Sequence, residues 1–336
     1  MTRTKKAAAV AIAGIAAGVI ALQAQRPDSA SHQMTAVEHL EHLAAAGNPH
    51  AGHALMAMNA PALQAAPASA SLPPDDAGAP ARLAKSRGEF VTLTVGGNPM
   101  RTWVVRPQKA GPAPVVIVIQ EIFGLSDWIR GVADQLAAEG FIAVAPDLLG
   151  DSTKVAANEV MQAHFALQPA DIVAKLKAAR EYGLKLPGAN GKSVSIGFCF
   201  GGNQSFLMAV EEPSLNAAIV YYGTAPTDAP AAGGGGGRGG GRGAAAAPFA
   251  PSDRLASIKA PILGLYGGLM EDARVTSTVA ATQEKMKQLG KLYEVHIYDG
   301  AAHGFLRAQT GNNGANMKAA QDAWRRSADW IRKHGA

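Results

Sequence analysis

The chain has 336 residues, 48% of them hydrophobic, one cysteine and a net charge of +5. A single cysteine excludes an intrachain disulfide, and the length suits one α/β domain with flanking segments. Five of the positive charges sit at Arg3, Lys5, Lys6, Arg238 and Arg242, so the excess nearly vanishes over the rest, and no basic patch interleaved with aromatics argues for nucleic acid.

Arg3, Lys5 and Lys6 precede an apolar run over 7–22 and then Gln23-Ala24-Gln25. That order is the pattern of an export signal, so residues 1–24 are expected to be a signal peptide cleaved after Ala24 and the protein periplasmic or secreted. Retention as an N-terminal anchor is the alternative, although the run is shorter than the ~20 residues of a spanning helix. Residues 25–87 are rich in Ala, Pro, Ser and His and are expected to form a disordered linker, since they cannot bury enough apolar surface to offset ordering. Within them only 35–45 reads as a short helix. His32, His39, His42, His50 and His53 fall there without cysteine or acidic ligands at metal-site spacing, so no metal or other cofactor is expected.

Residues 88–336 alternate short apolar runs with longer helical patterns, the signature of a mainly parallel sheet with helices on both faces. Segments 90–95 and 101–106, joined by Gly96-Gly97-Asn98-Pro99, predict an antiparallel opening hairpin. The uninterrupted apolar runs 115–119 and 141–145 predict central parallel strands. Between them Ser126 is placed to cap a helix whose apolar face carries Trp128, Ile129, Val132 and Leu136. Ile172, Leu176 and Ala179 mark a second helix. Segments 217–222, 262–266 and 293–298 predict further strands, and 319–333 a closing amphipathic helix. Residues 228–253, with nine glycines between Gly233 and Gly243, predict a mobile surface insertion, either a lid over the active site or an inert excursion.

The chemistry concentrates at Gly197-Phe198-Cys199-Phe200-Gly201-Gly202, between an apolar strand and the helical run 204–210. Strand, tight glycine turn and helix is the setting of a nucleophile elbow, here carrying sulfur. A cysteine at a helix N-terminus faces free N–H groups and a dipole that favour its thiolate; the alternative is a small buried hydrophobe. A thiol nucleophile needs a base, and His303, in a small-residue loop beyond the last predicted strand, is better placed than His164 in a helix or His296 within a strand. The imidazole needs a carboxylate to orient it. Asp272, after the 262–266 strand, is the first choice; Glu271 competes with it, and Asp299 is third. Nucleophile, acid and histidine then follow one another in the chain order of α/β-hydrolases.

Gln120-Glu121-Ile122-Phe123-Gly124-Leu125, the Gly-Phe-Cys-Phe-Gly-Gly turn, the Asp272 loop and His303-Gly304-Phe305 together resemble the dienelactone hydrolase family, over roughly residues 89–332. The resemblance implies an α/β-hydrolase fold and a Cys-Asp-His triad acting on esters or lactones. It makes Cys199 the nucleophile, His303 base and then acid, Asp272 its orienter, and Glu121 a buried carboxylate that controls thiol ionisation. Backbone N–H groups of Ile122 and Phe200 would form the oxyanion hole, one donor following the nucleophile and the other leaving the first parallel strand. Arg307 matches an arginine that binds a substrate carboxylate, which points to an anionic substrate. Members specific for dienelactone use a second arginine upstream of the nucleophile, and here none occurs from Gly131 through Ala179.

The expected function is therefore hydrolysis of a small ester or lactone through an acyl-thioester, with no cofactor and no obligate protein partner. An exported, non-catalytic small-anion-binding protein on the same scaffold is the alternative, and a redox-sensing thiol a third reading, though it lacks a resolving cysteine.

Overall fold

The computed structural model describes residues 71–109, 111–228 and 249–336. The expected signal peptide, most of the expected linker and the glycine tract of the insertion, with its expected lid, lie outside the described residues.

In chain order the elements are α1 (Ala79–Leu83), β1 (Glu89–Val95), β2 (Asn98–Val105), β3 (Ala113–Ile119), α2 (Asp127–Ala138), β4 (Ile142–Pro146), α3 (Val160–Ala166) and α4 (Pro169–Leu184). They continue with β5 (Ala189–Phe198), α5 (Phe200–Glu211), β6 (Ala217–Tyr221), β7 (Ile262–Gly267), α6 (Val279–Gln288), β8 (Tyr293–Tyr298) and α7 (Ala315–Gly335). The strands form one sheet in the order β1-β2-β4-β3-β5-β6-β7-β8. β2 runs antiparallel to both β1 and β4, and every other neighbouring pair is parallel. This is the mainly parallel α/β-hydrolase sheet with an antiparallel N-terminal hairpin that the sequence predicts. Gly96 and Gly97, at φ of 56° and 83°, supply the positive φ that a two-residue hairpin turn demands.

Side-chain alternation along the central strands divides the interior in two. On β3, Val116 and Val118 face Trp128, Ile129, Val132 and Leu136 of α2 and Ala320 and Trp324 of α7. Val115, Ile117 and Ile119 face Leu176 of α4, Phe206 and Met208 of α5 and Met286 of α6. Both faces being covered explains why the strand has no polar residue. Ser126 caps α2 as predicted, its Oγ accepting from the Ile129 N–H.

Two boundaries need correction. The linker expected to reach residue 87 stops at or before Ser71, because residues 71–87 pack along α2 and the loop after β8. The Trp128 indole N–H donates to the Pro74 carbonyl at 3.1 Å, and the Gln309 amide to the Pro73 carbonyl at 3.0 Å. Ser86 Oγ donates to Asp134 at 2.6 Å, and Arg82 pairs with the same carboxylate. Each partner is distant in sequence, so composition alone missed the strap. Likewise the expected insertion 228–253 is pinned at its ends. Ser252 Oγ donates to Asp228, and the Ser252 N–H to the Pro226 carbonyl at 2.9 Å, leading into the 3-10 turn Asp253–Ser257.

Candidate active site

Cys199 occupies the turn between β5 and α5, with φ 56° and ψ −113°, a conformation L-residues avoid. Such a residue costs of order 1–3 kcal/mol and persists only where its surroundings over-determine it. Here backbone packing does so. A Cβ on Gly197 would lie 1.9 Å from the Gly201 carbonyl oxygen, and one on Gly201 2.2 Å from that of Ile119. The Cys199 N–H donates to the Tyr221 carbonyl at 3.0 Å, and the Cys199 carbonyl starts α5 by accepting from Asn203. The side chain stays half-buried.

Phe200 opens α5, so its N–H is among those that a helix leaves without an intrahelical carbonyl. Ile122 lies in the turn after β3, against which Gly201 packs backbone to backbone. The two expected oxyanion donors are thus brought to one corner.

The loops after β7 and β8 are laced together. The Gly268 N–H donates to the Tyr298 carbonyl at 2.8 Å and the Leu269 N–H to the Ala301 carbonyl at 3.1 Å. Across this seam His303 Nδ1 donates to Asp272 Oδ1 at 2.8 Å. Asp272 is 2% exposed and its Oδ2 has no partner among the described residues. Burial works against the His303 cation, but hydrogen bonds to Asp272 and Cys199 and the charges of both outweigh it and push its pKa up to about 10. The raised pKa favours the imidazolium at neutral pH, beside the buried Asp272 carboxylate. Of the acids the sequence offers, Asp272 meets the histidine; Asp299 stays in the turn beyond β8.

Glu121 is 4% exposed beside this group. Burial pushes its carboxyl pKa up, against the lowering influence of Arg307 and of the His303 charge. Arg307 Nη1 donates to Glu121 Oε2 at 3.2 Å, Nη2 lies 3.4 Å from Asp76 Oδ2, and the guanidinium stacks on Phe123 at 4.5 Å. Arg307 is thus at the site, as expected, but already held by two carboxylates.

Sequence reading missed three contributors besides Asp76. Tyr222, at φ 40° after β6, lays its ring 4.9 Å from that of His303. Its buried hydroxyl has no partner among the described residues and lies within the influence of Glu121 and Cys199. Its only signal was a Tyr-Tyr-Gly ending on an apolar strand. Gln120 donates to His164 Nε2 at 2.7 Å, while His164 Nδ1 donates to the Val160 carbonyl at 2.8 Å. His164 also packs edge-on to Phe200 at 5.3 Å, so one buried ring touches one expected oxyanion donor and a residue two positions before the other. Burial lowers its pKa, consistent with the neutral tautomer these bonds require.

Among the described residues no group of three or more His, Cys, Asp and Glu is arranged to hold a metal ion. A concavity of about 490 Å³ lined by Ile258, Pro261, Leu292 and His334 lies at the N-terminal ends of β7 and β8, opposite Cys199, Asp272 and His303. No described helix is long and apolar enough to cross a membrane.

Comparison with known proteins bears on the fold and the family. The chain is 32% identical over 235 residues to a Methylorubrum extorquens protein assigned as a carboxymethylenebutenolidase, covering 68% of this chain and 75% of that one. A protein of Escherichia coli K12 with the same assignment is 29% identical over 252 residues, covering 73% and 87%. A Klebsiella pneumoniae structure assigned as a dienelactone hydrolase superposes with a TM-score of 0.61 at 26% identity, over 73% of this chain and 98% of that one. An esterase of Pyrobaculum calidifontis, at 17% identity and a TM-score of 0.52, shares the fold over 74% and 86% of the two chains. The profile of the dienelactone hydrolase family matches residues 100–335, from the second strand through the last helix, and the chain belongs to that family of carboxylic ester and lactone hydrolases.

Proposed function

We propose that the protein hydrolyses small carboxylic esters or lactones through a thioester on Cys199. The observation that carries this reading is the His303–Asp272 bond at 2.8 Å, with Cys199 close enough for its charge to raise the imidazole's pKa. The thiolate attacks the acyl carbon, and the resulting oxyanion is stabilised by the Ile122 and Phe200 N–H groups. Collapse breaks the C–O bond, and the His303 imidazolium gives its proton to the departing alkoxide. Neutral His303 then takes a proton from water, whose oxygen attacks the thioester and releases the acid and the thiolate. Asp272 holds the imidazole in the productive tautomer throughout. Glu121, whose buried carboxyl feels the His303 charge, is the carboxylate we assign to modulating thiol ionisation.

Mass spectrometry of a rapidly quenched reaction with an activated ester tests the pathway. An adduct of acyl mass on Cys199 is expected, and its absence in an enzyme that turns over would overturn the thioester. Ligand binding without any adduct or turnover would instead favour the anion-binding alternative.

We also propose that the protein is exported, on the basic start and apolar run of residues 1–24. N-terminal sequencing of protein from the extracytoplasmic fraction should begin at Gln25; recovery of intact Met1 with membranes would favour the anchor.

A further inference from the structure

Read alone, Arg307 suggests an anionic substrate. We propose instead that Asp76 makes the site discriminate against carboxylate-bearing substrates, so that neutral esters and lactones are preferred. The inference rests on the hydrolase reading above and concerns its substrate class.

The guanidinium has little left to offer. Glu121 takes Nη1 at 3.2 Å, Asp76 lies 3.4 Å from Nη2, and Phe123 covers a face. His303 adds no free cation, because its charge is matched by Asp272. With Glu121 ionised, two carboxylates face one guanidinium; with Glu121 protonated, Asp76 alone still balances it. In neither state does an incoming carboxylate find an uncompensated positive charge.

Asp76 is also built into position. Its N–H donates to the Arg307 carbonyl at 3.0 Å, and three residues earlier the Pro73 carbonyl accepts from Gln309 at 3.0 Å. The strap is therefore stitched to the arginine's own loop at the ion pair and again three residues before it. It lies outside residues 100–335, the part that the family profile matches. Asp76 is 58% and Arg307 30% exposed, so solvent screens the pair and the discrimination should be moderate, about two- to ten-fold.

Two measurements on the full chain test this. In the first, Cys199 is alkylated with iodoacetamide and with iodoacetate, reagents of equal size that differ by one charge; the single cysteine makes the stoichiometry unambiguous. Asp76→Asn should lower the ratio of amide to acetate rates about two- to ten-fold, and Asp76→Glu should keep the wild-type ratio. The Asn effect should fade as ionic strength rises from about 0.01 M to about 1 M, which shortens screening from about 30 Å to about 3 Å. In the second, kcat/KM is compared for dimethyl succinate and monomethyl succinate. Wild type should favour the diester, and Asp76→Asn should narrow the gap through the KM of the monoester. A wild-type preference for the monoester, or ratios that Asp76→Asn leaves unmoved in both measurements, overturns the proposal. An Asp76-dependent alkylation ratio without turnover of either ester or of an activated neutral ester would sink the hydrolase reading and leave only the charge discrimination at Cys199 standing.

Discussion

The cysteine turn and the arginine rim share one edge of the sheet, yet they are held by different forces. Around Cys199 the contacts are backbone against backbone, so close that a Cβ on Gly197 or Gly201 would sit 1.9 or 2.2 Å from a carbonyl oxygen. Around Arg307 they are side-chain charges, 30% exposed on the cation and 58% on Asp76. A steric lock of the first kind tolerates almost no change, whereas a screened ion pair is worth only about 0–1 kcal/mol and can be tuned. On the proposed reading, chemistry sits where the chain cannot move, and selectivity where it can vary without cost to the fold.

The sharpest contrast comes from removing the sulfur. Cys199→Ala should lower ester turnover by about four to six orders of magnitude, measured with a neutral activated ester. Residual activity within about tenfold of wild type would show that the turn is not the catalytic centre. Asp272→Asn should cost about 10²–10⁴ in kcat, because the amide favours the wrong imidazole tautomer. It should also move the alkaline limb of the rate profile well below pH 10, since the carboxylate helps hold the imidazolium up to about 10.

The same raised pKa bears on stability. A cation favoured by folding contributes fully below the unfolded value of about 6.5 and is lost as pH rises through the folded value of about 10. Thermal melts of wild type and His303→Gln should differ most at or below pH 6.5 and converge toward pH 10. A difference that grows with pH would contradict the imidazolium assignment.

On the rim side the effects should be smaller. Starting the chain at Gly88 removes the strap's bonds to Trp128, Gln135, Asp134 and Gln309. At about 1 kcal/mol net per bond, the melting temperature should fall by about 5–15 °C, checked by calorimetry. Phe123→Ala removes only a cation–π contact worth about 0.5–1 kcal/mol, so KM should change less than about tenfold and kcat hardly at all.

The centre was legible in the sequence because its requirements are local. Gly197, Gly201 and Gly202 around Cys199 announce a turn that admits no side chains, and the chain order of Cys199, Asp272 and His303 follows from where the strands end. Even there, the choice between Asp272 and its neighbour needed the 2.8 Å bond to His303. The rim was not legible. The strap lacks aromatic residues and carries three prolines, a composition that reads as linker, and its order comes from partners up to 236 residues away. Tyr222 and His164 gave no signal beyond their types, since a ring's burial and its hydrogen bonds depend on which elements fold against it.

By itself, then, the amino-acid order determined the alternation of strands and helices, the elbow and the candidate residues Cys199, Asp272 and His303, because apolar period, glycine placement and strand ends are properties of short stretches. Only the tertiary structure decided that residues 71–87 belong to the domain and that Arg307 meets Glu121 and Asp76. Charge pairing is a matter of distance in space, and no spacing along the chain encodes it.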